Sequence, residues 1–287
     1  MTTSIRPIRI GRIDFTNVWP LFYYFPFAAF GSQVEVLQQV PTGLNRAMAA
    51  GQIDIGPISS YAYGENVSEY MLFPDISVSA YGAVHSILLF HRKPLEALGG
   101  ATIALPTTSA TSVNLLKIIL AKFYRVQPEY VYETPNLDTM MTKADAALLI
   151  GDHAIRANWE DRGYMITDLG AEWNKWTGHW MSFAVCAIRK AVIEEQPELI
   201  KRIYDGFIES KRKSLTDMTL LIEDAQVELG GEAAYWQSYF SKLSYDFGPQ
   251  QWAGLKQYFE YAAELDFLKH EVPLHIWNDN SVAQVTE

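Results

Sequence analysis

Leu105-Pro106-Thr107-Thr108-Ser109-Ala110-Thr111-Ser112 decides how the chain reads. A short apolar run, Thr102 to Leu105, precedes the turn, and a strongly helical one, Val113 to Phe123, follows it. Five hydroxyl side chains in six positions therefore sit where a strand hands over to a helix. The first turn of a helix leaves four backbone N–H groups without intrahelical partners, and its dipole favours negative charge. Hydroxyls placed there cap the helix and can also donate to a bound anion. Alone, the stretch is an N-cap with spare serines and threonines. As one wall of a site for a small carboxylate-bearing molecule, it needs other walls to face it.

Outward from this turn, strands and helices alternate in both directions. Upstream, Ile8 to Ile13 predicts a first strand, broken by Thr16-Asn17 before an aromatic run, Trp19 to Phe30. Val34 to Val40 predicts a second strand, and Pro41-Thr42-Gly43 opens a helix ending near Gly51. Ile53 to Ile58 reads as a short buried strand, stopped by Gly56-Pro57 and followed by Ser59-Ser60. Downstream, Glu129 to Glu133 is strand-like, Pro135 opens a short helix, and Asp145 to Gly151 is a buried strand ending at Asp152-His153. Pro41 to Gly56 spans 15 positions and Pro135 to Gly151 spans 16, with the same order of events in each.

This pattern predicts an α/β fold of two parallel lobes. Ser86 to Phe90 and Ser182 to Ile188, both apolar, bracket the second unit and predict two crossover strands carrying the chain out to lobe two and back. Beyond Lys190 the chain reads as helical, with Leu199, Ile203 and Phe207 at helical spacing, and is expected to fold back onto lobe one. Its aromatics, among them Trp236, Tyr239 and Tyr258, are assigned to core packing. The predicted division is residues 1–88 and 184–287 for lobe one, and 89–183 for lobe two.

Charge and composition narrow the function. A formal net charge of −10 disfavours nucleic acid or an anionic membrane as partner, since both need a concentrated basic surface. It leaves room for a small anion held by helix ends and one or two cations. Met1 to Arg12 lacks the apolar core and cleavage site of a secretory signal, and no stretch approaches the roughly 18 apolar residues that span a bilayer. The single cysteine, Cys186, sits in an apolar strand and forms no internal disulfide. A cytoplasmic protein is expected, and nothing in the sequence fixes an oligomeric state.

In parallel α/β sheets, ligands bind outside the carboxyl ends of the strands. Four such ends are polar: Thr16-Asn17, Ser59-Ser60, Thr107 to Ser112, and Gly151-Asp152-His153, with Ser86 a fifth candidate. Two lobes facing each other would gather them in one cleft, as in two-lobed solute-binding proteins. Asn17 fits capping of the helix near Val18-Trp19 and ligand contact equally, and Ser59 and Ser60 fit caps as well. Asp152 reads as a helix N-cap before a catalytic acid, and His85 and His153 as loop histidines. No zinc spacing, phosphate-cradling glycine loop or dinucleotide fingerprint occurs, so neither a metal nor a cofactor is implied.

Several of these stretches, in order, resemble the chorismate dehydratases of the futalosine route to menaquinone. They are Ile10 to Leu21 with its Asn17, Gly51 to Ser60, Gly82 to Phe90, Thr107 to Val113, Ala146 to Asp152 and Asp168 to Trp173, with Thr177-Gly178 and Phe183-Ala184-Val185 behind. The likeness covers roughly the first two-thirds of the chain; the helical tail matches only in character. The resemblance implies a periplasmic-binding-protein-like (type 2) fold and a lyase that dehydrates chorismate, a small dianion, to 3-enolpyruvylbenzoate. It also implies that the substrate's own enolpyruvyl carboxylate serves as base. Carried across, Asn17 would orient the substrate and Ser86 would hydrogen-bond the leaving hydroxyl or a carboxylate. Thr107, Ser109, Thr111 and Ser112 would hold a carboxylate, with Ser59, Ser60, Gly151 and Asp152 as further binding residues. Phe15-Thr16 stands where many members have Tyr-Leu, and Ala110 where a longer side chain is common. That leaves Arg12 or His85 to answer the second carboxylate. A sister enzyme that makes dihydroxynaphthoate shares the fold, but its N-terminal Cys-Pro-Asn-Asp stretch is missing here. From another class, a solute-binding protein for an aromatic or carboxylate ligand would present the same cleft.

Overall fold

The computed structural model describes residues 6–278; the expected limits of lobe one at residues 1 and 287 lie outside them. Among the described residues there are ten strands: β1 (Ile8–Ile13), β2 (Val34–Gln39), β3 (Ile55–Ser59), β4 (Tyr70–Ala80), β5 (Ile87–His91), β6 (Thr102–Pro106), β7 (Glu129–Glu133), β8 (Ala146–Ile150), β9 (Met165–Asp168) and β10 (Met181–Arg189). They form two five-stranded sheets with one shared plan, β2-β1-β3-β10-β4 and β7-β6-β8-β5-β9. In each, three parallel strands are followed by one antiparallel to the third and to the strand at the edge. The repeated order of events in the sequence is thus a repeated topology.

Side chains on a strand point alternately to its two faces, so a sheet covered on both sides needs apolar residues at every position. The second sheet shows this directly. Leu88, Phe90, Ala104, Ala147 and Leu149 join Leu137, Met140 and Met141 in a small core on one face. Their neighbours Ile87, Leu89, Ile103, Leu105, Leu148 and Ile150 face the large core that continues into lobe one. The helices that follow the strands, Pro41–Ala49, Ser60–Glu65, Thr111–Ile118 and Gly151–Trp159, start at the strands' carboxyl ends.

Three expectations shift. The expected lobe limits 88/89 and 183/184 fall within β5 and β10, but each of these strands pairs with one sheet only, so neither strand crosses. The chain passes between sheets at residues 81–86 and 178–180. Gly56 and Gly151, matched by spacing, occupy different places: Gly56 lies inside β3, while Gly151 begins a helix. A side chain on Gly56 would meet the Gly11 carbonyl at 2.7 Å, so that glycine serves the close approach of β1 and β3. Lastly, the tail packs on both lobes. Helix Pro197–Thr216 sets Phe207 against Phe22, Phe25 and Phe73 of lobe one. Helices Ala233–Lys242 and Pro249–Glu264 reach lobe two through Trp236 on Trp159 and through Tyr258 and Tyr261 on Trp173.

Candidate active site at the seam between the lobes

After β1 the chain makes one three-residue turn of 3-10 helix, Thr16–Val18, and then the short helix Trp19–Phe22. The cap position of that helix belongs to Val18, and no side chain caps it. Asn17 therefore does not cap. Its Oδ1 is buried and, among the described residues, has no hydrogen-bond partner. Leaving a buried amide oxygen without a partner costs about 1–3 kcal/mol. Thr16, fully buried, turns the other way: its N–H (3.3 Å) and its hydroxyl (2.6 Å) donate to the Asp152 carboxyl of lobe two.

Asp152 is thus no helix cap. The cap position of helix Gly151–Trp159 is Ile150, without a side-chain bond. Burial pushes the Asp152 carboxyl up to about 6, against the bonds from Thr16, which pull it down. Gly151 beside it has a φ of +57°, and a Cβ there would lie 2.9 Å from the Phe15 ring. Here the two lobes touch backbone to ring.

The hydroxyl-rich turn meets lobe one as well. The cap position of helix Thr111–Ile118 is Ala110, while Ser109 Oγ accepts from the Ser112 N–H at 3.3 Å. Thr111 Oγ1 accepts from the Tyr61 N–H at 3.0 Å, across the seam. Both hydroxyls accept and so keep their own O–H to donate. Thr107 is exposed, its N–H bonded to the Glu133 carbonyl, and Thr108 Oγ1 is buried without a partner. A cavity of about 560 Å³ opens between Tyr61 and Glu65 on one side and Thr107, Ser109 and Lys117 on the other. Lys117 Nζ lies 5.0 Å from the Tyr130 ring and donates to the Tyr132 hydroxyl. Asn17, Ser86, Gly151 and Asp152 are not among that cavity's walls.

The serines divide. Ser59 is structural: its Oγ accepts from the Ala62 N–H as the cap of helix Ser60–Glu65 and also from Asn45 Nδ2. Ser60 does not cap; fully buried, it donates to the Ser182 carbonyl at 2.7 Å. Ser86, almost fully buried, accepts from the Tyr239 hydroxyl at 3.0 Å, and its own proton has only the Val84 carbonyl at 3.4 Å. Sequence reasoning placed Tyr239 in the core, and it is buried, but its hydroxyl serves Ser86. Asp168, quoted only within a stretch that carries the resemblance, caps helix Leu169–Thr177 and also accepts from the Val84 and His85 N–H groups, fixing the loop before Ser86. Neither partnership leaves a local sequence signal, because each spans more than 80 residues.

Of the two cations offered by the sequence, His85 is disfavoured: burial, with the nearby Lys242 charge, lowers its pKa and keeps it neutral. Arg12 lies over the Phe22 ring at 5.7 Å, its Nε buried without a partner. Among the described residues, no three His, Cys, Asp or Glu side chains group as metal ligands. The seam offers an amide, hydroxyls and helix-start N–H groups, a set chemically able to hydrogen-bond an anion.

Comparison with known proteins places the chain in a family and a fold. Residues 8–264 match a family model described as menaquinone biosynthesis. A chorismate dehydratase of Thermus thermophilus is 31% identical over 271 residues, 89% of this chain and 95% of that protein. A 1,4-dihydroxy-6-naphtoate synthase of the same organism is 29% identical over 175 residues, 60% of this chain and 62% of its own. Among solved structures, a protein of Archaeoglobus fulgidus superposes with a TM-score of 0.71 at 18% identity, covering 92% of this chain and 99% of its own. The periplasmic aliphatic sulphonate-binding protein of Escherichia coli superposes with a TM-score of 0.69 at 15% identity, covering 96% and 93%. The fold is therefore that of periplasmic binding proteins.

Proposed function

The chain belongs to the menaquinone-biosynthesis family, and from that membership we propose that it is a chorismate dehydratase, a carbon–oxygen hydro-lyase. It removes water from chorismate to give 3-[(1-carboxyvinyl)oxy]benzoate (3-enolpyruvylbenzoate). The observation that carries this reading is the 31% identity to an enzyme of that name along nearly its whole length. The match to the dihydroxynaphthoate enzyme covers much less of either chain.

In this reaction the 4-hydroxyl leaves, the neighbouring ring proton is lost and the ring becomes aromatic. Aromatisation supplies the driving force, so the protein's task is orientation and exclusion of competing chemistry. The substrate's enolpyruvyl carboxylate takes the ring proton. In our reading the unpartnered Asn17 Oδ1 accepts from the substrate and orients the ring. Ser86, with Tyr239 behind it, hydrogen-bonds the leaving hydroxyl or a carboxylate. The free O–H groups of Ser109 and Thr111, Thr107, and the first N–H groups of the helix containing Ser112 hold a carboxylate, and Arg12 or Lys117 supplies the cation. We take the lobe limits as the two crossings, residues 81–86 and 178–180. We place the protein in the cytoplasm; no helix among the described residues is long and apolar enough to cross a membrane.

The test is direct. Purified protein with chorismate, without added metal or nucleotide, should consume it and release an aromatic product seen by ultraviolet absorbance. Saturable binding with no turnover would instead favour a solute-binding protein, the role of structural neighbours with this fold.

A further inference from the structure

We propose that Asp152 is a positioning residue: it fastens lobe two to the turn that carries Asn17, so that Asn17 reaches its working orientation only when the lobes are shut. The kinetic part of this inference rests on the proposed dehydratase reading; the structural part does not.

Among the described residues, every hydrogen bond to the Asp152 side chain comes from Thr16, on the opposite lobe. Thr16 and Asn17 are successive residues of a single three-residue turn. Holding the backbone N–H of Thr16 therefore sets the Cα of Asn17, whose amide oxygen is buried and unpartnered. Beside Asp152, Gly151 leaves no room for a side chain: a Cβ there would lie 2.9 Å from the Phe15 ring of lobe one, so the bond sits where the lobes pack closely. A separate bond between Tyr61 and Thr111 and the aromatic contacts of the tail also join the lobes. Loss of Asp152 should thus disturb the turn without unfolding the chain.

The carboxyl is faced by Arg156 of its own helix, by Glu228 of helix Thr219–Leu229, and by Tyr235 and Tyr239 of helix Ala233–Lys242. Burial, with a smaller push from Glu228, holds its pKa in the shut molecule at about 6, above the ordinary 3.8. In open, water-filled surroundings it returns toward the ordinary value. The shut form accordingly holds a proton that the open form releases, and closure is favoured as pH falls from 6 toward 4. Asp152→Asn, uncharged and of the same shape, should keep the bond from the Thr16 hydroxyl and lose the pH dependence.

The experiment measures the distance between spin labels at Glu35→Cys on β2 and Glu129→Cys on β7, in ligand-free protein; the native Cys186 is buried. The unsubstituted latch should give a narrow short distance at pH 5 that broadens toward longer values at pH 8. Asp152→Asn should stay short at both, and Asp152→Ala long at both. Thr16→Val, which leaves lobe two untouched, should also lengthen it. Without the labels, Asp152→Ala should lose about tenfold to a hundredfold in kcat/KM, the size of the two hydrogen bonds from Thr16 that it removes, while Asp152→Asn stays within about threefold. An Asp152→Ala protein with unchanged distance and unchanged turnover overturns the inference. So does an Asp152→Asn protein that loses activity as fully as Asp152→Ala at unchanged distance, since the carboxyl would then act on substrate. If the distances behave as stated while no variant consumes chorismate, the fastening stands and the dehydratase reading falls.

Discussion

The two sheets share one strand order, yet their carboxyl ends are put to different use. In lobe one, Ser59 and Ser60 are spent on the lobe itself, as a helix cap and as a donor to Ser182, and Asn17 is left with an unanswered oxygen. In lobe two, Ser109 and Thr111 accept from backbone N–H groups and keep protons to give, while Asp152 crosses to hold lobe one. One lobe thus presents an acceptor on a turn that its partner must steady; the other presents donors on a helix start. The shared strand order gives two similar frames whose ends carry unequal hydrogen-bonding groups.

Substitutions sharpen the contrast, and the largest effect is expected far from the seam. Asp54, fully buried in lobe one, accepts from Arg6 and from the side chain and N–H of Arg9. Burial pushes this carboxyl up, but those bonds outweigh it and hold its pKa below the ordinary range. Its contribution is therefore full above the ordinary pKa and lost as pH falls through the lowered one. Asp54→Asn should cost about 3 kcal/mol in chemical denaturation, flatten the acid limb of stability, and leave kcat unchanged.

Asn17→Ala should do the reverse. Turnover of chorismate should fall about a hundredfold, the loss typical of a donor or acceptor aimed at the reacting group. Because the deleted oxygen has no partner, Tm should stay level or rise slightly; equal losses in both would return Asn17 to a structural role. Gly151→Ala touches the seam from lobe two. Forcing a Cβ at positive φ costs about 1–2 kcal/mol, and the contact with Phe15 adds to it. Both Tm and turnover should drop, measured by calorimetry and by the absorbance assay. The smallest effect is expected from Tyr239→Phe, which deletes one buried bond worth about 1 kcal/mol. It should lower kcat roughly fivefold with KM little changed, since it alters only what stands behind Ser86.

Much of the frame was legible in the sequence because strand and helix periodicities are local. β1, β2, β3 and β6 to β8 lie where apolar runs and Pro or Gly boundaries put them. β4 escaped notice: Pro74 and Asp75, the latter at φ +57°, break its pairing with β10, and its buried serines hide the apolar pattern. β9 is four residues long and half exposed. The site was legible as a set of residue types, not as partnerships. That Asp152 serves Thr16 and not its own helix, and that Tyr239 serves Ser86, depends on contacts 136 and 153 residues apart. No spacing rule reaches that far. The glycine match between residues 56 and 151 misled for the opposite reason, since equal spacing concealed unequal structural positions.

Amide hydrogen exchange with and without 3-enolpyruvylbenzoate tests the shared seam most directly. Protection should appear together at residues 16–18 of lobe one and at 107–112 and 151–152 of lobe two, and Asn17→Ala should abolish it in both. Protection confined to one lobe, or to a surface away from these strand ends, would contradict a site built where the two lobes meet.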